Sequence, residues 1–193
     1  MRKVIVTEFM TLDGVIHAPH EWSFGFWSDA IGAYKAEEVF SSGSLLLGRV
    51  TYEGFAEAWP DRQDEAGFAD KLNGMEKLLA STTMKPGEPT WNNTTLLQGD
   101  VAAQIREHKE RDGGDILING SADLIQRLAP HGVIDEYRML VYPIVLGKGR
   151  KLFPEGFETT GLRLAETKTF DKGVVALHYE VTGEGIPESP YPG

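Results

Sequence analysis

Cysteine is absent from the chain. That excludes a disulfide framework, a thiolate nucleophile and a cysteine-based zinc site. Cations are outnumbered: 19 Lys and Arg against 29 Asp and Glu leave a formal net charge of −10. A nucleic-acid surface needs clustered Lys and Arg, so this balance argues against one. It leaves room for a small phosphorylated ligand, which backbone amides and one or two cations can hold. No apolar run approaches the roughly 20 residues that span a bilayer. The apolar part of "MRKVIVTEFM" is too short for a secretory signal and is broken by Glu8, so the cytoplasm is the default location. A P-loop, a G-x-S-x-G elbow and an H-E-x-x-H motif are all missing. "GKGRKLF" at 147–153 has two glycines but lacks a third, and Pro154 stands where a dinucleotide helix should begin. His17, His20 and Glu21 lie close together, yet a proline separates the histidines and no fourth ligand follows. No metal site is expected.

What is present describes a globular α/β protein. Hydrophobic residues make up 41% and charged ones 25% of 193 residues, enough for one domain with a sizeable core. One domain is expected over 1–183, followed by a Gly- and Pro-rich tail over 184–193. Short β-rich runs alternate with segments of helical period. "KVIVTEF" reads as the first strand, and "AIGAYKAEEVF" as a helix capped by Ser28 or Asp29. "SLLLG", "KLLAST", "TTLLQG" and "DILING" are further strands. Asp100 should cap a helix through "VAAQIREHKE" that Gly113-Gly114 ends, and "SADLIQRLAP" forms another with Leu124, Ile125 and Leu128 on one side. "IDEYRMLVYPIVLG" predicts a long strand, bent or at an edge near Pro143, and the end of the chain predicts an antiparallel hairpin around "DKG". Continuous runs such as "LLL" and "DILI" fit parallel strands buried on both faces. In such sheets, ligands bind beyond the C-terminal strand ends.

Four strand ends carry candidates. After "SLLL" come Gly48, Arg49 and Thr51: a glycine that lets a ligand approach, then donors suited to phosphate. The plainer reading is a Gly-terminated strand, an exposed arginine and Thr51 as a helix cap. After "KLLA", Ser81 and Thr82 with Lys85 nearby suit a ribose phosphate, or simply a polar turn. After "DILI", Asn119, Gly120, Ser121 and Ala122 are small or polar enough to admit a pyrophosphate, or to cap a helix. Asp123 suits the helix dipole. After the first strand, Asp13-Gly14 signals a turn over the same sheet edge. Trp22, Phe24, Phe26 and Trp27 follow, either as a pocket wall for a flat substrate or as a cluster packed on the core or on a second subunit. His108, His131 and His178 look isolated, and Asp100, Asp135 and most glutamates look like caps and solvated faces.

In their order and spacing, "LLLGRVTYEGF", "KLLAST", "ILINGSADLIQRL" and "IDEYRMLVYPIVLGKGRKLF" resemble the dihydrofolate-reductase-like superfamily. They are most similar to stand-alone relatives of the reductase domain in riboflavin-biosynthesis deaminase-reductases, over about Val4 to Val181. The resemblance implies a three-layer α/β fold with a central, mostly parallel sheet of about eight strands, flanking helices and a C-terminal antiparallel hairpin. It implies NADPH as hydride donor and a small heterocyclic (pterin- or pyrimidine-like) or carbonyl substrate. By matched position, Gly48, Arg49 and Thr51 would hold cofactor phosphate, Ser81 and Thr82 the adenosine end, and Asn119, Gly120, Ser121 and Ala122 the pyrophosphate. Asp13 and Gly14 would lie near nicotinamide and substrate, with Trp22, Trp27 and Asp29 lining the pocket. A homodimer is implied, with the aromatic loop and the tail as contacts. The sequence departs from true dihydrofolate reductases at two points. "INGSAD" replaces a glycine triplet, and the acidic residue of the first helix has no clean counterpart: Asp29 matches only with a gap, and Glu37 and Glu38 fall too late. No catalytic proton donor is assigned. A dinucleotide-binding module without catalysis, or a ligand-free scaffold, is the alternative.

Overall fold

A computed structural model of the chain describes residues 1–64 and 66–187. Glu65 and positions 188–193 of the expected tail lie outside the described residues. Eight strands form one sheet: β1 (Val4–Thr11), β2 (Ser42–Gly48), β3 (Glu76–Ala80), β4 (Thr94–Leu97), β5 (Asp115–Ile118), β6 (Glu136–Tyr142), β7 (Leu162–Thr169) and β8 (Val175–Val181). Their spatial order is β4-β3-β2-β5-β1-β6-β8-β7. The first six run parallel, while β8 pairs antiparallel with both β6 and β7. The helices are α1 (Asp29–Ser41), α2 (Arg49–Ala58), α3 (Phe68–Gly74), α4 (Val101–Lys109) and α5 (Ala122–Leu128). The mostly parallel α/β architecture implied by the sequence is therefore present. Among the described residues, no helix is long and apolar enough to cross a membrane.

Local chemistry explains where the elements start. The Ser28 side chain accepts from the Ile31 N–H at the head of α1, and Asp100 does the same for Ala103 at α4. The strands alternate between two apolar layers. Val4, Val6, Leu46, Ile116 and Ile118 face Ile105 of α4 and Leu124, Ile125 and Leu128 of α5. Ile5, Leu45, Leu47 and Leu117 face Val39 of α1, Tyr52 of α2 and Leu72 of α3. Each fully buried aliphatic side chain contributes about 1.5–3 kcal/mol of transfer free energy.

Several expectations are corrected. β6 is shorter than expected and not at an edge: it lies between β1 and β8 and stops at Tyr142, because Pro143 has no N–H to continue the ladder. Helix α4 ends at Lys109, before Gly113-Gly114. Gly114 instead lets β5 begin against β2: a Cβ there would stand 2.8 Å from the Gly43 nitrogen and from the Ser41 oxygen. The glutamates do not all belong to solvated faces, since Glu8, Glu38 and Glu136 are buried. Nor is His178 isolated: its Nε2 lies 2.8 Å from Glu136 Oε2, off the line a hydrogen bond needs. Lys3 and Arg138 bond the same Glu136 carboxylate at 2.5 and 2.7 Å. Burial pushes the Glu136 carboxyl upward, but those two hydrogen bonds and the nearby His178 outweigh it and hold it below its ordinary range. Asp135 accepts from the Val4 N–H at 2.7 Å and pairs with Lys109, so it fastens the end of α4 to the sheet.

Candidate functional site

The chain leaves β2 through α2 towards β3 on one side, and leaves β5 through α5 towards β6 on the other. The neighbouring ends of β2 and β5 are therefore a topological switch point, where the two connections part and open a crevice. Gly48 ends β2, and Gly120 follows β5 directly opposite, with the Gly48 N–H donating to the Gly120 carbonyl at 3.3 Å. A Cβ at Gly48 would lie 2.5 Å from Ser121 Oγ, and one at Gly120, whose φ is +87°, would lie 2.9 Å from Thr51 Oγ1. Only glycine fits both places. The Gly120–Ser121 peptide is cis. Gly48 and Thr51 from the end of β2 and Gly120 and Ser121 from the end of β5, two separate stretches of the sequence, thus converge on one spot.

The flanking candidates occupy the same edge. Arg49 is the first residue of α2, solvent-exposed, with its guanidinium bonding both oxygens of Glu53 at 2.9 and 2.8 Å. Thr51 does not cap α2; the N-cap position is Gly48, which supplies no side-chain bond. The first N–H groups of α2 are left to other partners. Ser81 follows Ala80, which pairs with Gly48 in register. Its buried Oγ accepts from the Thr83 and Met84 amides at 3.2 and 3.0 Å, forming the turn, while Thr82 is exposed. Asn119 has a buried Oδ1 without a hydrogen-bond partner among the described residues. Ala122 opens α5 and is packed in the core. Asp123 pairs with Arg150 at 2.5 Å.

Beyond the end of β1 the expected pocket residues separate into two groups. The Asp13 carboxylate accepts from Thr11 Oγ1 at 2.7 Å and from the Leu146 and Gly147 amides at 3.2 and 2.8 Å. The Thr11 bond, then the Gly147 amide, bring its pKa down to about 2. Gly14, at φ +86°, accepts from the Leu152 N–H. Both residues therefore pin the loop that follows β6. Trp22 stacks edge-on against Tyr142 at 5.4 Å and Phe26 does so at 5.6 Å, so half of the aromatic loop is a lid on the core. Phe24 and Trp27 remain outside, at 65% and 42% exposure. Trp27 lies 6.3 Å from Phe9 at the end of β1 and covers Gly32 of α1. Asp29 is exposed at the head of α1 and makes no side-chain hydrogen bond to this wall among the described residues.

Sequence reasoning missed the charges beneath that wall. Lys35 of α1 is buried, its Nζ 2.5 Å from both Thr7 Oγ1 and Glu38 Oε2 and 5.6 Å from the centre of the Phe9 ring. Thr7 also donates to Glu38 Oε2 at 2.9 Å, and Glu38 Oε1 is buried without a hydrogen-bond partner among the described residues. Glu38 stands late on α1, as its place in the chain requires, yet it reaches β1. The available signal was the i, i+3 spacing of Lys35 and Glu38 on one helix face together with a threonine in an apolar strand. On the opposite face of β1, Glu8 is buried beside Gly120. Burial pushes its carboxyl up to about 8, with Lys35 and the Gly120 amide pulling the other way.

Comparison with known proteins bears on the fold and the family. The family described as the RibD C-terminal domain matches residues 2–176. The uncharacterized protein YyaP of Bacillus subtilis (strain 168) is 25% identical over 186 residues, covering 94% of this chain and 96% of YyaP. A pyrimidine reductase-like protein of Corynebacterium diphtheriae superposes with a TM-score of 0.71 at 12% identity, covering 95% of this chain and 93% of its own. Dihydrofolate reductase from Enterococcus faecalis, complexed with NADP(H) and RAB-propyl, superposes with a TM-score of 0.62 at 14% identity, covering 93% and 96%. The fold is dihydrofolate-reductase-like, and the chain belongs to the RibD C-terminal domain family.

Proposed function

We propose that this chain is an NADPH-dependent reductase that passes a hydride to a small heterocyclic or carbonyl substrate. The observation that carries the reading is the close meeting of Gly48 and Gly120 at the switch point, where a Cβ on either would collide with Ser121 or Thr51, so that the two strand ends present backbone and two hydroxyls. Asn119 Oδ1 and Glu8 Oε1, which have no hydrogen-bond partner among the described residues, are what a polar ligand would satisfy. Bound NADPH would supply the hydride, and the protein's part is to orient it. Arg49, Thr51 and the first amides of α2 would hold phosphate, Ser81 and Thr82 would flank the adenosine end, and Asn119 to Ala122 would line the pyrophosphate. The exposed Arg49–Glu53 pair is worth only about 0.3–0.5 kcal/mol, so a phosphate can draw the guanidinium away. Trp27 and Phe9 would form one wall of the substrate pocket. Below them, Lys35, paired with Glu38 and Thr7, would be the group to hold a proton near a substrate ring on Phe9.

The test is a thermal melt with NADPH, with NADH and without ligand. A ligand at 100 times its dissociation constant adds about 2.7 kcal/mol if it binds only the native state. The expected result is a clear upward shift, larger for NADPH, that Arg49→Ala weakens by about 1.5–3 kcal/mol in binding free energy. No shift with either nucleotide at saturating concentration sinks the reading. A shift without turnover across a panel of pterins, pyrimidines and carbonyls favours the binding module. Homodimerisation belongs to the same proposal, and a dimer mass by light scattering is its check.

A further inference from the structure

β1 carries a carboxyl where a strand buried on both faces should be apolar. Glu8 is 9% exposed, and its Oε1 has no hydrogen-bond partner among the described residues. An unpartnered carboxyl oxygen away from water costs stability, so the fold alone gives no reason for it. Its surroundings do. On the β6 side Glu8 pairs in register with Met139. On the β5 side the strand has just ended, and a methyl at Gly120 would lie 3.6 Å from Glu8 Oε1 and 2.9 Å from Thr51 Oγ1. A carboxyl and a hydroxyl therefore flank one side-chain-free position, inside the switch-point crevice.

We propose that Glu8 is a ligand of the dinucleotide, acting as a neutral acid that donates its proton to an acceptor oxygen of the cofactor lying over Gly120, with the Thr51 hydroxyl on the other side. This rests on the NADPH-binding reading above. The charged groups around Glu8 are few. α1 presents Lys35, β6 presents Met139, and the β5–α5 loop offers the Gly120 amide. α2 presents Thr51 while its Arg49 is turned to Glu53, and Asp123 of α5 is outside, paired with Arg150. Desolvation outweighs Lys35, so the acid is neutral up to about pH 8. A polyanionic ligand against the same oxygen holds the proton on more firmly. Binding and protonation are then linked: affinity is flat below about pH 8 and falls about tenfold per pH unit above it, because the bound state must recover the proton.

The experiment titrates NADPH by fluorescence from about pH 7 to about pH 10 against wild type, Glu8→Gln and Glu8→Leu, each verified as folded by its melt. The amide of Glu8→Gln still donates a hydrogen bond but cannot titrate, so its affinity should stay flat where the wild type declines. Glu8→Leu stays apolar but cannot donate, and should bind about tenfold more weakly even at neutral pH. Calorimetry of the wild type at about pH 9 in two buffers of different ionisation enthalpy should show close to one proton taken up per NADPH bound. Glu8→Gln tracking the wild type at every pH, or no proton uptake, overturns the proposal while leaving the dinucleotide site intact. No binding by any of the three folded proteins at any pH overturns the dinucleotide reading itself, and this proposal with it.

Discussion

Lys77 is a cationic side chain in a buried place. It lies on β3, fully buried, with Nζ donating to the Asn73 and Met75 carbonyls at 2.6 and 3.0 Å and lying 4.2 Å from the Trp91 ring. Those carbonyls and the ring favour the ammonium, but desolvation dominates and brings its pKa from 10.5 down to about 8. Between those two values the unfolded chain binds the proton and the folded protein does not. Stability from this group therefore rises with pH across that window and is unchanged below it. Lys77→Met removes the titration. Urea denaturation at about pH 7.5 and about pH 9.5 should show the wild type gaining up to about 2 kcal/mol relative to Lys77→Met at the higher pH. An equal change in both proteins would mean that the amine stays charged in the fold.

The elements differ in how plainly the sequence announces them. Gly114 illustrates what glycine does when it is not a turn residue: backbone on the neighbouring strand occupies the space of a Cβ. Gly114→Ala should cost about 1–3 kcal/mol, since the β2–β5 approach cannot relax without breaking the ladder. Gly54→Ala, on the open face of α2 where nothing lies within 4 Å, should instead add about 0.5–1 kcal/mol. Chemical denaturation of the two variants side by side tests both signs. β2 and β5 were legible because strands buried on both faces are written as "LLL" and "DILI", and α1 and α4 because Ser28 and Asp100 cap them with their own side chains. Pro143 and Gly113-Gly114 were misread because their roles depend on which strand lies alongside, and sequence periodicity carries no neighbour order. The same limit applies to the site. Gly48, Thr51, Gly120 and Ser121 could each be suspected, but their meeting follows from β2 and β5 being adjacent. The buried roles of Glu8, Lys35 and Glu38 could not be read from the sequence because the groups that bury and pair them stand largely on other elements, as when Thr7 reaches Glu38 at a separation of 31 positions.

At the scale of the whole molecule the sheet divides unevenly. β2, β3 and β4 form a parallel run on one side, β6, β8 and β7 close the other, and β1 and β5 join them. The outer strand β7 is exposed along almost its whole length, and Arg163, Glu166 and Lys168 on it discourage another chain from adding to that edge. β1 has the opposite character: central, largely buried and early in the chain. Lys3, just before its start, is bonded to Asp115 and Glu136 across 112 and 133 positions. A contact that distant forms late, because closing so long a loop costs entropy before any bond repays it. Pulse-labelled hydrogen exchange during refolding should therefore protect the amides of Leu78 and Leu79 and those of the β7–β8 hairpin before those of Val4 to Val6. Simultaneous protection would mean that the sheet condenses as one unit. During synthesis the order has a cost in time. At about 5–20 residues per second, the segment that will become the middle of the sheet waits on the order of 10 s for its partner strands to leave the ribosome. For that interval the most hydrophobic strand of the N-terminal half is the part of the nascent chain most in need of a chaperone.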